Sequence, residues 1–108
     1  MIKSTARLPI RRPPTHPGEM LLEEFLKPLE LSQAEVARRL QIPLNRLNEL
    51  VKGKRGVTPD TALRLSELFK VSPQFWMNLQ ADWDLWHAMQ ERKARGEAGS
   101  IKPIKVIA

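Results

Sequence analysis

Apolar residues recur at helical spacing along most of the chain, and the most regular repeat begins just after residue 30. Val36, Ala37 and Leu40 fall on one side of a helix, because Leu40 lies three and four positions after the other two and residues at these spacings share a face. Ser32 and Glu35 have the spacing of a capping box, the pair of residues that begins many helices. The pattern therefore predicts a short helix that starts at Ser32 and turns one side to a core.

A second short helix follows at once. Leu47, Leu50 and Val51 share its inward face, and Gly53 suits the left-handed residue that ends a helix. The turn between the two helices is expected near Gln41–Pro43, because proline cannot continue a helix but suits the opening of the next one. Two short helices joined by a tight turn within residues 32–56 predict a helix-turn-helix.

One further helix is predicted before this pair. Pro17 suits its first position, and Pro28 ends it. Leu22, Phe25 and Leu26 have the spacing of its inward face.

Two more helices are predicted after the pair, each begun by a hydroxyl cap and a proline, at Thr58–Pro59 and Ser72–Pro73. The last extends from Pro73 to about Lys93, with or without a break, and holds all three tryptophans. Its apolar surface is wider than a four-helix core covers, so we expect a second subunit or a partner protein on it. The residues expected in a homodimer interface are Leu79, Trp83, Trp86 and Met89.

These elements predict an all-α fold of five helices over residues 16–95. A basic arm, residues 1–15, precedes this domain, and a tail, residues 96–108, follows it. The tail is rich in β-branched residues, so short β segments at the termini, with the tail paired to Leu8–Ile10 or to another subunit, are an open alternative to disorder.

Composition adds a preference for an acidic partner. The 108 residues suit one domain and carry a net charge of +6. Residues 32–57 carry +4, whereas residues 16–31 and 58–91 each carry −3, so the predicted helix-turn-helix is also a basic segment. Nucleic acid is the first partner that such a segment suggests. Without cysteine, a signal peptide or an apolar run near the roughly 20 residues of a membrane helix, we expect a cytoplasmic protein.

The outward face of the second helix of the pair suits base edges. Six side chains lie opposite or beside its inward residues: Leu44, Asn45, Arg46, Asn48, Glu49 and Lys52. Asparagine can pair with adenine, arginine with guanine and glutamate with cytosine, and leucine can contact a thymine methyl. A plain solvated helix face has the same polarity, so that alternative stays open.

The sequence contains no recognisable catalytic, metal-binding or phosphate-binding motif. His16 and His87 are far apart, no cysteine is present, and no glycine-rich phosphate loop occurs. We therefore expect no enzyme activity, no metal and no cofactor.

The segment SQAEVARRL, followed by IPLNRLNELVKGKRGVTPDTALRLSELF, resembles the Xre/Cro-like helix-turn-helix of phage repressors. The longer string from HPGEMLLEEFLK to SPQFWMNLQ is similar to the HigA-type antitoxins of bacterial toxin–antitoxin modules, and the similarity covers about Thr15 to Trp86. It implies a dimeric DNA-binding protein that represses its own operon. It also implies binding to a HigB-type toxin, a small RelE-like enzyme that cleaves mRNA.

By position, the resemblance implies DNA contacts from both helices of the pair and from the basic loop behind them: Gln33, Leu44, Asn45, Arg46, Asn48, Glu49, Lys52, Lys54 and Arg55. Gln41 departs from the family pattern, since many relatives have glycine there, and Leu44 stands where a polar residue is common. Two other functions remain open, a free-standing repressor without a toxin and a toxin-neutralising protein whose DNA contacts are weak.

Overall fold

The computed structural model describes residues 12–105. Five α-helices follow one another: α1 Pro17–Leu21, α2 Gln33–Leu40, α3 Leu44–Val51, α4 Pro59–Phe69 and α5 Pro73–Ala94. No strand occurs between residues 12 and 105, so the all-α prediction is confirmed over that range. The proposed β partner at Leu8–Ile10 and the last three residues of the tail lie outside the described residues. α5 continues to Ala94 without a break.

α1 is shorter than predicted, because the chain continues beyond it as a π-helical segment, Leu22–Leu26. The N–H of Lys27 donates to the carbonyl of Leu22 at 3.0 Å, five residues back, so this turn is wider than an α-helical one. Leu21 and Leu26 are buried, whereas Leu22 packs only against the edge of the core. Uniform α-helical spacing therefore missed Leu21 as a core residue.

The predicted helix starts have the expected caps, with one difference. The hydroxyl of Ser32 accepts from the N–H of Glu35 at 3.1 Å, as a capping box requires. The carboxylate of Glu35 does not return to Ser32 but pairs with Arg39 at 3.0 Å, so the box is half formed. Thr58 and Ser72 cap α4 and α5 through their hydroxyl groups.

The turn between α2 and α3 depends on a left-handed residue. Gln41 has φ 61° and ψ 42°, a conformation that glycine adopts without penalty and that costs other residues roughly 1–2 kcal/mol. The turn thus has the backbone geometry that glycine would favour, although glutamine occupies it. Gly53, with φ 78°, follows the end of α3 as predicted.

All five helices and the π-helical segment contribute to one hydrophobic core. Trp76 is its largest fully enclosed side chain. The ring centroid of Phe25 lies 5.2 Å from that of Trp76 and 4.9 Å from that of Phe69. Other fully enclosed side chains are Leu21, Leu26, Val36, Leu47, Leu50 and Leu65. The short helices α2 and α3 are held in place by this core, because each is too brief to be stable alone.

Candidate nucleic-acid interface

α3 packs against α2 and α1 and leaves one side open to solvent. Leu47 and Leu50 are buried, whereas Leu44 and Asn45 are exposed at the start of the helix. The predicted inward or outward placement is therefore confirmed for these four residues. In helix-turn-helix proteins, the open side of the second helix is the side that enters the major groove.

Gln33 and Asn48 form a polar pair that links α2 to α3. The Nδ2 of Asn48 donates to the Oε1 of Gln33 at 3.3 Å. Leu44 and Asn45 border the same shallow hollow between the two helices. The structure thus brings these four predicted DNA-binding residues together on one surface.

The basic loop after α3 is shaped by an ion pair. The guanidinium of Arg55 donates twice to the Oε1 of Glu49, at 3.0 and 2.8 Å. Glu49 and Arg55, both predicted to contact DNA, therefore contact each other, and the pair orients the loop. Lys52 and Lys54 are exposed where α3 ends, so their charge is presented beside the open side of the helix.

Arg46 is not brought together with the other predicted residues. Its Nη2 donates to the Oγ1 of Thr61 and lies 3.9 Å from the Oδ2 of Asp60, both on α4. Its side chain is only 29% exposed, because it lies between α3 and α4. In this conformation Arg46 fixes α3 against α4.

Two supporting residues were missed from the sequence. Arg64 on α4 donates to the carbonyl of Leu40 at 2.9 Å and to Asp60 at 2.8 Å, which ties α4 to the end of α2. Gln80 on α5 accepts from the N–H of Val57 at 2.7 Å and so holds the end of the basic loop. The spacing of Asp60 and Arg64 indicates an ion pair within one helix, but no local pattern indicates the two long-range contacts.

His16 joins α1 to α5. It is 5% exposed, its Nδ1 accepts from the N–H of Gly18 at 2.9 Å, and its ring meets the Trp83 ring edge-on at 4.8 Å. Burial lowers the pKa of His16, an effect that Asp84 and Glu19 oppose. The neutral ring that burial favours is also the form whose Nδ1 can accept a hydrogen bond and cap α1. His16 is thus a packing residue.

The four residues predicted for a dimer interface are only half-buried in the single chain. Trp83 packs against His16, and its ring centroid lies 4.3 Å from that of His87, so packing within one chain covers part of this residue. Trp86 contacts the His87 ring at 5.0 Å and keeps part of its surface exposed. Leu79 packs at the edge of the core, and Met89 lies further along α5.

Among residues 12–105, no group of three or more histidine, cysteine or acidic side chains is arranged to hold a metal ion. Within the same part of the chain, no helix has both the length and the apolar character to cross a membrane.

A paired α2 and α3, an open α3 surface with amide side chains and an adjoining basic loop together define a DNA-binding helix-turn-helix protein. Comparison with known proteins agrees. Residues 22–76 match the family described as Helix-turn-helix. Virulence-associated protein I of Dichelobacter nodosus is 45% identical over 82 residues, which are 76% of each chain.

Two further relatives are antitoxins. Antitoxin HigA-1 of Vibrio cholerae is 33% identical over 97 residues, 89% of each chain. The structure of Pseudomonas aeruginosa antitoxin HigA with the higBA promoter has a TM-score of 0.79 at 39% identity, over 85% of this chain and 99% of that one. The chain therefore belongs to the helix-turn-helix family, in the Xre-like group that includes the HigA antitoxins.

Proposed function

We propose that the chain is a sequence-specific DNA-binding antitoxin that acts as a homodimer and represses its own operon. Each of the two α3 helices enters one of two successive major grooves of a palindromic operator. The observation that carries this proposal is the surface formed by Gln33, Leu44, Asn45 and Asn48 across α2 and α3. Relatives solved with a promoter or an operator support the choice of double-stranded DNA.

The surface divides into two parts with different tasks. Amide side chains such as Asn45 and Asn48 can pair with base edges, and such contacts give sequence selectivity. Exposed lysines such as Lys52 and Lys54 suit phosphates, which supply affinity for any sequence.

Replacing one residue from each part should separate selectivity from affinity. Asn45→Ala is expected to make the free energy of operator binding less favourable by about 1–3 kcal/mol and to leave the affinity for unrelated DNA nearly unchanged. Lys54→Ala is expected to weaken binding to both DNAs by the same factor. It should also lower the slope of log affinity against log salt concentration by roughly 1. Titration of both variants on both DNAs at several salt concentrations measures the two effects.

Each variant serves as the control for the other, since both substitute an exposed side chain of the same region. Equal weakening of operator and unrelated DNA by Asn45→Ala would contradict a base-contacting role for α3. Loss of selectivity in Lys54→Ala would contradict the assignment of the loop to phosphates.

We further propose that the chain neutralises a HigB-type, RelE-like toxin by binding it. The antitoxin names of its relatives support this role. Acidic side chains are exposed along α1 and the π-helical segment, at Glu19, Glu23 and Glu24. A toxin that binds mRNA needs a basic surface, and opposite charges speed the association of two proteins. In this role the chain binds and inhibits the toxin and catalyses no reaction itself. Because operator DNA and mRNA are found in the bacterial cytoplasm, a cytoplasmic location follows from the proposal.

The toxin encoded beside the gene for this chain should co-purify with it. The double variant Glu23→Lys and Glu24→Lys is expected to slow association at low salt by roughly ten-fold, and the difference should shrink at high salt. The double variant Glu91→Lys and Glu97→Lys, which reverses two exposed acids near and beyond the end of α5, is the matched control. An unchanged rate would place the toxin surface elsewhere, and an operator-binding chain without any toxin partner would be a free-standing repressor. The opposite result, toxin binding without operator binding, would leave a toxin-neutralising protein alone.

A further inference from the structure

The hollow between α2 and α3 has chemistry that phosphate contact does not explain. Its lining combines Ala34 and Leu44 with the amides of Gln33, Asn45 and Asn48, and most of its accessible surface is carbon. Lysine and arginine are absent from this lining. An apolar hollow at the start of a DNA-facing helix suits an apolar group of the DNA.

Leu44 is the residue that most needs an explanation. Its side chain is 51% exposed, so it does not belong to the core. An isolated exposed leucine needs no special reason, but Leu44 opens the helix that faces the proposed operator. In the major groove of DNA, the apolar group on a base edge is the 5-methyl of thymine.

We propose, on the basis of the function proposed above, that this hollow accepts the methyl group of one thymine in each operator half-site. Leu44 and Ala34 contact the methyl group, and Leu44 is the residue that selects thymine. The amides at the rim then face the polar edges of the same or a neighbouring base pair. Because Gln33 already accepts from Asn48, the two amides are held in a fixed relative orientation before DNA arrives.

Substitution of thymine by deoxyuridine tests the proposal, because it removes the methyl group and leaves base pairing intact. The probe is a duplex from the DNA upstream of the chain's own gene, trimmed to the footprint of the protein. Each thymine of a half-site is replaced in turn, together with its symmetry mate. One position is expected to lower the affinity of the unmodified chain about four-fold per methyl group lost.

Two leucine variants identify the side chain responsible. Leu44→Ala is expected to bind the thymine operator more weakly and to bind the thymine and deoxyuridine operators equally well. Leu63→Ala is the matched control, since Leu63 is 54% exposed but lies on α4 outside the hollow. This variant should keep the full deoxyuridine effect. Light scattering should give both variants the mass of the unmodified protein.

The possible outcomes separate this proposal from the one on which it rests. Selective operator binding without a deoxyuridine effect at any position would overturn the methyl contact and leave the proposed function standing. A deoxyuridine effect that persists in Leu44→Ala would assign the methyl group to another residue, and a changed mass of Leu44→Ala would make the hollow a protein contact. Failure of the unmodified chain to prefer upstream DNA over unrelated DNA would overturn the proposed function itself.

Discussion

Gly18→Ala is expected to lower the free energy of unfolding by about 3 kcal/mol or more, the upper part of the range for overpacked interiors. A Cβ atom on Gly18 would lie 1.7 Å from the carbonyl oxygen of Leu50 and 2.6 Å from its carbonyl carbon. Both atoms belong to the backbone of α3, so no side-chain rotation relieves the contact. α1 would have to move away from α3 and disturb the buried side chains between them.

The sign of this effect is informative because helix propensity predicts the reverse. Gly18 lies within α1, where alanine is favoured over glycine by about 1 kcal/mol. The contact with α3 is expected to exceed that gain, since atoms at less than 2 Å cannot coexist. Gly18 is therefore required for the close approach of two helices.

Gly53→Ala is the control for the loss of a glycine without a clash. Gly53 has φ 78°, and a Cβ there would lie 3.9 Å from the nearest atom of His16, an ordinary contact distance. The expected cost is the left-handed strain alone, roughly 1–2 kcal/mol. Urea unfolding of both variants, with unchanged slopes, measures the difference. Equal destabilisation by the two substitutions would contradict the contact between α1 and α3.

Much of the fold could be predicted because its signals are local. Each helix after the first begins at a residue whose side chain or ring acts on its immediate neighbours, as at Ser32, Thr58 and Ser72. Gly18 shows the limit of such signals. The residues next to Gly18 in the sequence do not indicate that the Leu50 carbonyl lies against it. The π-helical turn at Leu22–Leu26 likewise has no local sequence pattern that predicts it.

The candidate site divides in the same way. Helical spacing correctly places Leu44 and Asn45 on the open side of α3, because that depends on α3 alone. The orientation of Arg46 depends on Asp60 and Thr61, which the fold brings close from a different helix. Local spacing therefore predicts which face a residue occupies, whereas the partner that orients a long side chain depends on the packing of the whole domain.

α5 illustrates the same division for the proposed dimer. The spacing of its tryptophans predicts an apolar side, but not how much of that side its own chain covers. Trp83 is partly covered by His16, a residue that lies before α1. Trp86 has its ring contact within α5, to His87, and remains half-exposed. Of the two tryptophans in the proposed interface, Trp86 is thus the one whose substitution should affect the single chain less.

Trp86→Glu is expected to convert the dimer to a monomer and to lower operator affinity by at least about a hundred-fold. A charge cannot be buried in an apolar contact between subunits without a large penalty. Once the subunits separate, each half-site is bound independently and the gain from simultaneous binding, about 10²–10⁴-fold, is lost. Light scattering measures the mass, and titration on the full operator and on a single half-site measures the affinities.

Trp86→Glu and the unmodified chain should bind the half-site alike, because α3 itself is unchanged. Leu63→Glu, which places the same charge at an exposed leucine of α4, should remain dimeric and bind the full operator normally. A Trp86→Glu variant that remains a dimer would place the interface away from this part of α5, whereas a monomer with full operator affinity would contradict binding by two linked recognition helices.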